Sequence, residues 1–239
     1  MNFLSARWNH LLMANYEVPE SVLRPFVPRG TTIDKHDGKV YVSLVAFLFN
    51  RMKVVGFPAL FHRKFPEVNL RFYVAPEKDP SIRAVTFIRE VVPRPLISFV
   101  ANRLFNENYV SLPMNHRNRI PYHEYCWGRT VSNRFEAIAD APLHLPAKNS
   151  LSEFITEHYW GYTSGRRHTV EYRVDHPQWR CCEVTDFTID VDFGNLYGDA
   201  FSFLTTTAPA NVLYAEGSRV TVSFPKRLAT DNGGPQTQS

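Results

Sequence analysis

The stretch Phe65-Pro66-Glu67-Val68-Asn69-Leu70-Arg71-Phe72-Tyr73-Val74 alternates between polar and apolar side chains from Glu67 onward. Successive side chains of a β-strand point to opposite faces, so this pattern predicts a strand over residues 65–75. Val68, Leu70, Phe72 and Val74 share one face, and Glu67, Asn69, Arg71 and Tyr73 share the other. Same-face neighbours on a strand stand about 6–7 Å apart, which sets an acid, an amide, a guanidinium and a phenol in one row. A row facing solvent would be the wet side of an antiparallel sheet. A row facing a cavity would be a surface that orients a ligand. The pattern alone leaves both open.

Outward from this strand, other elements can be read. Val40–Phe49 predicts a second strand with Val40, Val42, Leu44, Ala46 and Leu48 on one face and Tyr41, Ser43, Val45, Phe47 and Phe49 on the other. The second face is aromatic and carries a hydroxyl, so both faces are expected to be covered. Asp37-Gly38 signals a tight turn between Thr31–Asp34 and this strand. Residues 50–64, with Gly56 and Pro58, read as a loop or entry segment. Further strands are expected at Ala84–Val92, as a pair within 121–139 around Gly128, and near 168–175, 181–192 and 219–224.

Helices are few and short. Trp8, Leu11 and Leu12 suggest one over Ser5–Asn15, and Pro19 opens another through Leu23. Pro95–Glu107 places Leu96, Ile97, Val100, Leu104 and Phe105 on one helical face. Ser150-Leu151-Ser152-Glu153 is a capping box, opening a helix expected to reach Tyr159. Val191–Thr205 is ambiguous between loop and helix. Strands outnumber helices, which predicts a mainly antiparallel sheet, closed or nearly closed, with helices packed outside. No linker divides the chain, so residues 1–228 are expected to form a single domain and 229–239 a disordered tail.

Composition bounds the function. Hydrophobic residues make up 44% of the 239, enough for a substantial core, and 18 Phe and 11 Tyr favour strands. Seven of the 27 basic residues are Lys and the remainder are Arg. Arg recognises carboxylates and phosphates in bidentate fashion, so this excess suits acidic ligands. A G+C-rich coding sequence would produce the same excess. Cys126, Cys181 and Cys182 lack zinc spacing and are expected to be reduced thiols of a cytoplasmic protein. No metal, cofactor or nucleic-acid partner is expected, because phosphate loops, HExxH, GxSxG and RNP-type motifs are absent. No run of 18 apolar residues and no signal-peptide core occurs, so no membrane association is expected. A homo-oligomer stays open.

The candidate ligand-binding residues are therefore polar and aromatic groups on predicted strands: Glu67, Asn69, Arg71, Tyr73, Ser43, Tyr122 and Arg134, with His176 at a strand end. Tyr41, Tyr159 and Trp179 belong to the same wider set. A carboxylate beside a guanidinium in a dry cavity can orient a ligand or shift a neighbouring pKa.

At these residues the chain resembles the YqjF-like family of bacterial proteins, related to acetoacetate decarboxylase. The similarity is carried by Ala6-Arg7-Trp8, Asn15-Tyr16, Leu23–Pro28 with Gly30, Tyr41–Val45 with Phe47, and the string Phe65, Glu67, Asn69, Arg71, Tyr73, Val74. It continues through Leu112-Pro113, Phe154, Tyr159, Val174, His176, Pro177 and Trp179. The resemblance implies an α+β, mainly β fold: a cone-shaped antiparallel β-barrel with short peripheral helices and an interior cavity. It places Glu67 inside that cavity. It also implies a Schiff-base lysine, which this chain does not supply, because no Lys lies between Lys78 and Lys148 and a guanidinium is a poor amine nucleophile. Met114 and His158 stand where the family usually has an aromatic residue and Arg. The resulting expectation is a barrel that binds a small acidic or carbonyl-bearing molecule. The alternative is an enzyme using Glu67 as acid or base without Schiff-base chemistry.

Overall fold

The computed structural model describes residues 2–58, 64–95, 98, 108–164 and 168–228. Its strands are β1 (Asn2–Glu17), β2 (Thr31–Ile33), β3 (Tyr41–Val54), β4 (Phe57–Pro58), β5 (Lys64–Pro76), β6 (Ala84–Val92), β7 (Tyr109–Ser111) and β8 (Met114–Arg119). They continue as β9 (Tyr122–Trp127), β10 (Asn133–Ile138), β11 (Trp160–Ser164), β12 (Thr169–Asp175), β13 (Cys181–Glu183), β14 (Asp186–Asp190), β15 (Asn211–Ser223) and β16 (Lys226–Arg227). The helices are α1 (Glu20–Leu23), α2 (Leu151–Thr156) and α3 (Phe193–Tyr197), with 3₁₀ turns at Arg24–Phe26 and Asp199–Thr205.

Seven strands form a ring in the order β15-β1-β3-β5-β6-β11-β12, and β12 returns to β15 through Val174–Val222 and Asp175–Thr221. Every neighbouring pair in the ring is antiparallel except β6–β11. A second sheet, β14-β10-β9-β8, lies outside the ring.

Both faces of β5 are buried, and its alternation separates a polar inner row from an apolar outer one. Glu67, Asn69, Arg71 and Tyr73 are 3%, 2%, 9% and 0% exposed, so the row does not face solvent. Val68, Leu70, Phe72 and Val74 join Leu44 and Leu12 in an outer layer closed by Tyr125, Trp127 and Phe135 of the second sheet and by Phe193 and Phe201. The inner layer gathers Val45, Phe47, Phe49, Phe65, Tyr73, Val85, Tyr172 and Trp179.

Three expectations change. Ser5–Asn15 is not a helix; it lies within the 16-residue strand β1. Opposite β3, the register runs Asn9–Leu48 and then Leu12–Ala46, so two residues, His10 and Leu11, face the single Phe47. His10 adopts φ +54°, as a bulge residue near the left-handed region does. The bulge moves the inner face from Ala6 and Trp8 to Leu11 and Met13, which mimics helical spacing. The capped helix ends at Thr156, short of Tyr159, although Ser150 Oγ accepts from the Glu153 amide as the capping box requires. The loop expected over 50–64 is strand at its start, since β3 runs to Val54 and pairs with β4, and residues 59–63 lie outside the described residues. The Asp37-Gly38 turn forms with φ +50° and +75° and closes a His36–Lys39 bridge, yet β2 pairs with β5. Val191–Thr205 resolves as α3 and a 3₁₀ turn. Leu96–Glu107, apart from Ser98, and the tail from residue 229 lie outside the described residues.

Candidate functional site

The ring encloses a cavity of about 280 Å³. β5 supplies Glu67, Asn69 and Arg71 to its wall, and β3 supplies Val45, Phe47 and Phe49. A register shift between Leu70 and Arg71 lets β6 turn Val85, Phe87 and Glu90 inward, while Arg89 points outward to the Leu196 carbonyl. Strict alternation along β6 would have placed Phe87 and Glu90 on opposite faces, so the sequence pattern hides Glu90. Tyr109, Thr156, His158 and His176 complete the polar lining.

Glu67 is held from two sides. Asn69 Nδ2 donates to its Oε1 at 3.0 Å, and the Tyr109 hydroxyl donates to its Oε2 at 3.3 Å. Burial pushes its pKa up to about 7, against the downward pull of Asn69, Tyr109 and the Arg71 charge. Arg71 donates through Nη2 to the Ile155 carbonyl at 3.2 Å, near the C-terminal end of α2 where helix carbonyls lack internal partners. Its Nε is buried without a hydrogen-bond partner. Its guanidinium carbon lies 5.9 Å from the Tyr73 ring centre.

Tyr73 and Ser43 stand behind the lining. Ser43 Oγ donates to Asn15 Oδ1 at 2.6 Å, and Asn15 Nδ2 donates to Asn211 Oδ1 at 2.8 Å. Ser43 has a single proton, so the 2.6 Å contact with Tyr73 is one in which the phenol donates. This chain fixes Tyr73, and with it the base of the Arg71 site.

His158 is buried beside Tyr73, with ring centres 4.6 Å apart. Burial drives its pKa down to about 4, with Asp34, 3.7 Å from Nε2, pulling the other way. His176 stacks on Trp179 at 4.1 Å and meets the Pro177 carbonyl at 2.9 Å. That carbonyl only accepts, so Nδ1 carries the proton and Nε2 the lone pair in the neutral ring. Burial lowers the His176 pKa.

Tyr122 and Arg134 are not brought to this cavity. In the second sheet His123, Tyr125 and Trp127 point inward, so the alternating Tyr122, Glu124 and Cys126 point out. There the Tyr122 hydroxyl donates to Glu136 at 2.6 Å, and Arg134 pairs with Glu124 at 3.1 Å and with Glu136. Of the candidate residues, Glu67, Asn69, Arg71 and His176 line the cavity together. Sequence reasoning misses Glu90, Tyr109 and Thr156 as lining residues, and finds His158 only as a departure from a family pattern.

The fold is the one seen in acetoacetate-decarboxylase-like proteins. The structure resembles the enduracididine biosynthesis enzyme MppR complexed with pyruvate at a TM-score of 0.69 and 11% identity, covering 96% of this chain and 91% of the other. It resembles an acetoacetate decarboxylase-like enzyme from Sphingomonas wittichii RW1 at 0.65 and 11%, covering 96% and 94%. Acetoacetate decarboxylase of Legionella pneumophila aligns at 0.65 and 8%, covering 96% and 90%. The chain belongs to the DUF2071 family of uncharacterized conserved proteins, whose model it matches over residues 5–219. It is 28% identical over 179 residues to the uncharacterized protein YqjF of Bacillus subtilis, covering 72% of each.

Proposed function

We propose that the cavity binds a small acidic or carbonyl-bearing molecule, with Arg71, Asn69 and Glu67 as its polar contacts. His176 borders the bound molecule, and Tyr73 and Ser43 hold the Arg71 site from behind. The observation that carries this reading is the buried polar row of β5 set into a mostly apolar wall. Pockets of this composition, mostly apolar with a few convergent polar groups, are the usual form of ligand sites. One protein of the same fold is described in complex with pyruvate, an acidic carbonyl compound. The test is a thermal-shift panel of carboxylic and oxo acids on the parent and on Arg71→Gln, with mass spectrometry of molecules that co-purify. Stabilisation by acids should be seen in the parent and lost in the variant. Equal stabilisation of both proteins would end the reading.

A second reading, catalysis with Glu67 as acid or base, has its own support. Glu67 is shifted up and His158 down within one cavity lining, and opposed shifts of this kind are how sites separate acid from base near neutral pH. None of the seven lysines lines the cavity, so this chemistry proceeds without a Schiff base.

A further inference from the structure

Arg71 stands at one end of the cavity wall, and the other end carries no charged side chain among the described residues. The register between β3 and β5 runs Ser43–Arg71, Val45–Asn69, Phe47–Glu67 and Phe49–Phe65. At the Arg71 end the wall adds Thr156 and His158 together with Val85, Phe87 and Trp160. At the Phe65 end it adds Phe3, Trp8, Met52 and Val54, all apolar or aromatic. Phe49 and Phe65 stack at 4.7 Å there, and Trp8 packs on Phe47 at 4.9 Å. Six residues of strand span about 20 Å. Between the two ends Asn69 and Tyr109 both donate to Glu67, and Glu90 lines the wall opposite Asn69. Arg71 instead keeps a buried Nε with no acceptor.

We propose, building on the ligand reading above, that the cavity takes an amphipathic monocarboxylic acid head-first, with its carboxylate at Arg71 and its alkyl or aryl body along Phe47, Phe49 and Phe65. A molecule as small and polar as acetate would fill only the Arg71 end and leave the aromatic half without contacts. At ~30 Å³ for one water, 280 Å³ corresponds to about nine waters, near the size of an eight-carbon acid. An apolar body gains free energy from each methylene it removes from water, about three- to fourfold in affinity per group. The head supplies selection against uncharged molecules, because a hydrogen bond to a charged group is worth about tenfold or more.

The experiment is calorimetric titration of the full chain with acetate, butanoate, hexanoate, octanoate and decanoate, 3-phenylpropanoate, pyruvate, and the alcohols hexanol and octanol. Affinity should rise about three- to fourfold per methylene, level off near eight carbons, and exceed that of the matching alcohol by about tenfold. Arg71→Gln should abolish the preference for acid over alcohol. Val45→Phe, which adds bulk to the wall opposite Asn69, should shift the levelling to a shorter chain. Acetate and pyruvate binding as tightly as hexanoate and 3-phenylpropanoate would overturn the amphipathic inference while leaving a small-acid site in place. Alcohols binding as tightly as acids would overturn both. No binding by any member at millimolar concentration would likewise overturn the inference, as would an unchanged chain-length profile in Val45→Phe.

Discussion

Glu67 concentrates the physics of the site in one side chain. Its two oxygens each accept a hydrogen bond, yet burial favours its neutral form and holds its pKa near 7 against an ordinary value of 4.5. A carboxyl whose pKa rises on folding contributes stability that is fully present below about 4.5 and is lost as pH rises through 7. The loss is on the order of 3 kcal/mol, since each tenfold change in proton affinity corresponds to about 1.4 kcal/mol. Glu67→Gln keeps an acceptor for Asn69 and does not ionise. At pH 5 it should therefore cost less than about 1 kcal/mol, whereas Glu67→Ala removes the acceptor and should cost about 2–3 kcal/mol. Between pH 5 and 8 the parent should lose stability relative to Glu67→Gln, and the difference should flatten above pH 8. Urea unfolding of the three proteins at each pH measures this. Parallel profiles for parent and Gln variant would mean that Glu67 does not change its proton affinity on folding.

At the scale of elements, legibility follows periodicity. β5 and β6 can be read from sequence with ends at or next to the observed ones because each residue step is a face step over most of their length. β1 reads wrongly as a helix because its bulge at His10 puts Leu11, Leu12, Met13 and Ala14 in an unbroken apolar run buried on both faces. Strand periodicity does not describe such a run, its spacing from Trp8 mimics a helical stripe, and its partners β3 and β15 are remote in sequence. The bulge also imposes a local requirement. Gly217, paired with Asn9, has φ +77°, and a Cβ there would stand 2.1 Å from the Trp8 carbonyl oxygen and 2.8 Å from Leu11 Cδ1. Gly38 has nearly the same φ, +75°, but open space around it. Gly38→Ala should cost about 1 kcal/mol, the backbone penalty alone, and Gly217→Ala at least about 2 kcal/mol, because β1 and β15 must also part. Denaturant midpoints of the two variants separate the contributions. Equal losses would show that the Trp8 contact is relieved without cost.

For the whole molecule, the informative feature is that ring closure makes one face of every ring strand an interior. Alternation shows that β5 has two distinct faces; it does not show which closed ring receives the polar one, since the β12–β15 pairing that completes the ring rests on only two residue pairs. Nor can it separate Tyr122 and Arg134 from Glu67, because alternation looks the same in the ring and in the second sheet. The same closure sorts the lysines. All seven, Lys35, Lys39, Lys53, Lys64, Lys78, Lys148 and Lys226, are exposed, and Lys35 and Lys39 are tied to Glu20 at 2.7 Å and to Glu17 at 2.8 Å. A Schiff base that serves catalysis needs its amine desolvated, or set against another cation, at the point where the carbonyl is bound. Arg71 lines the cavity here, and a guanidinium is a poor amine nucleophile. Incubation with acetoacetate or pyruvate followed by borohydride should therefore leave the intact mass unchanged under conditions where a decarboxylase of this fold becomes labelled. Peptide mapping that located a reduced adduct on any of the seven lysines, at ligand concentrations too low to modify an unfolded control, would overturn the assignment of carbonyl recognition to Arg71, Asn69 and Glu67 without covalent attachment.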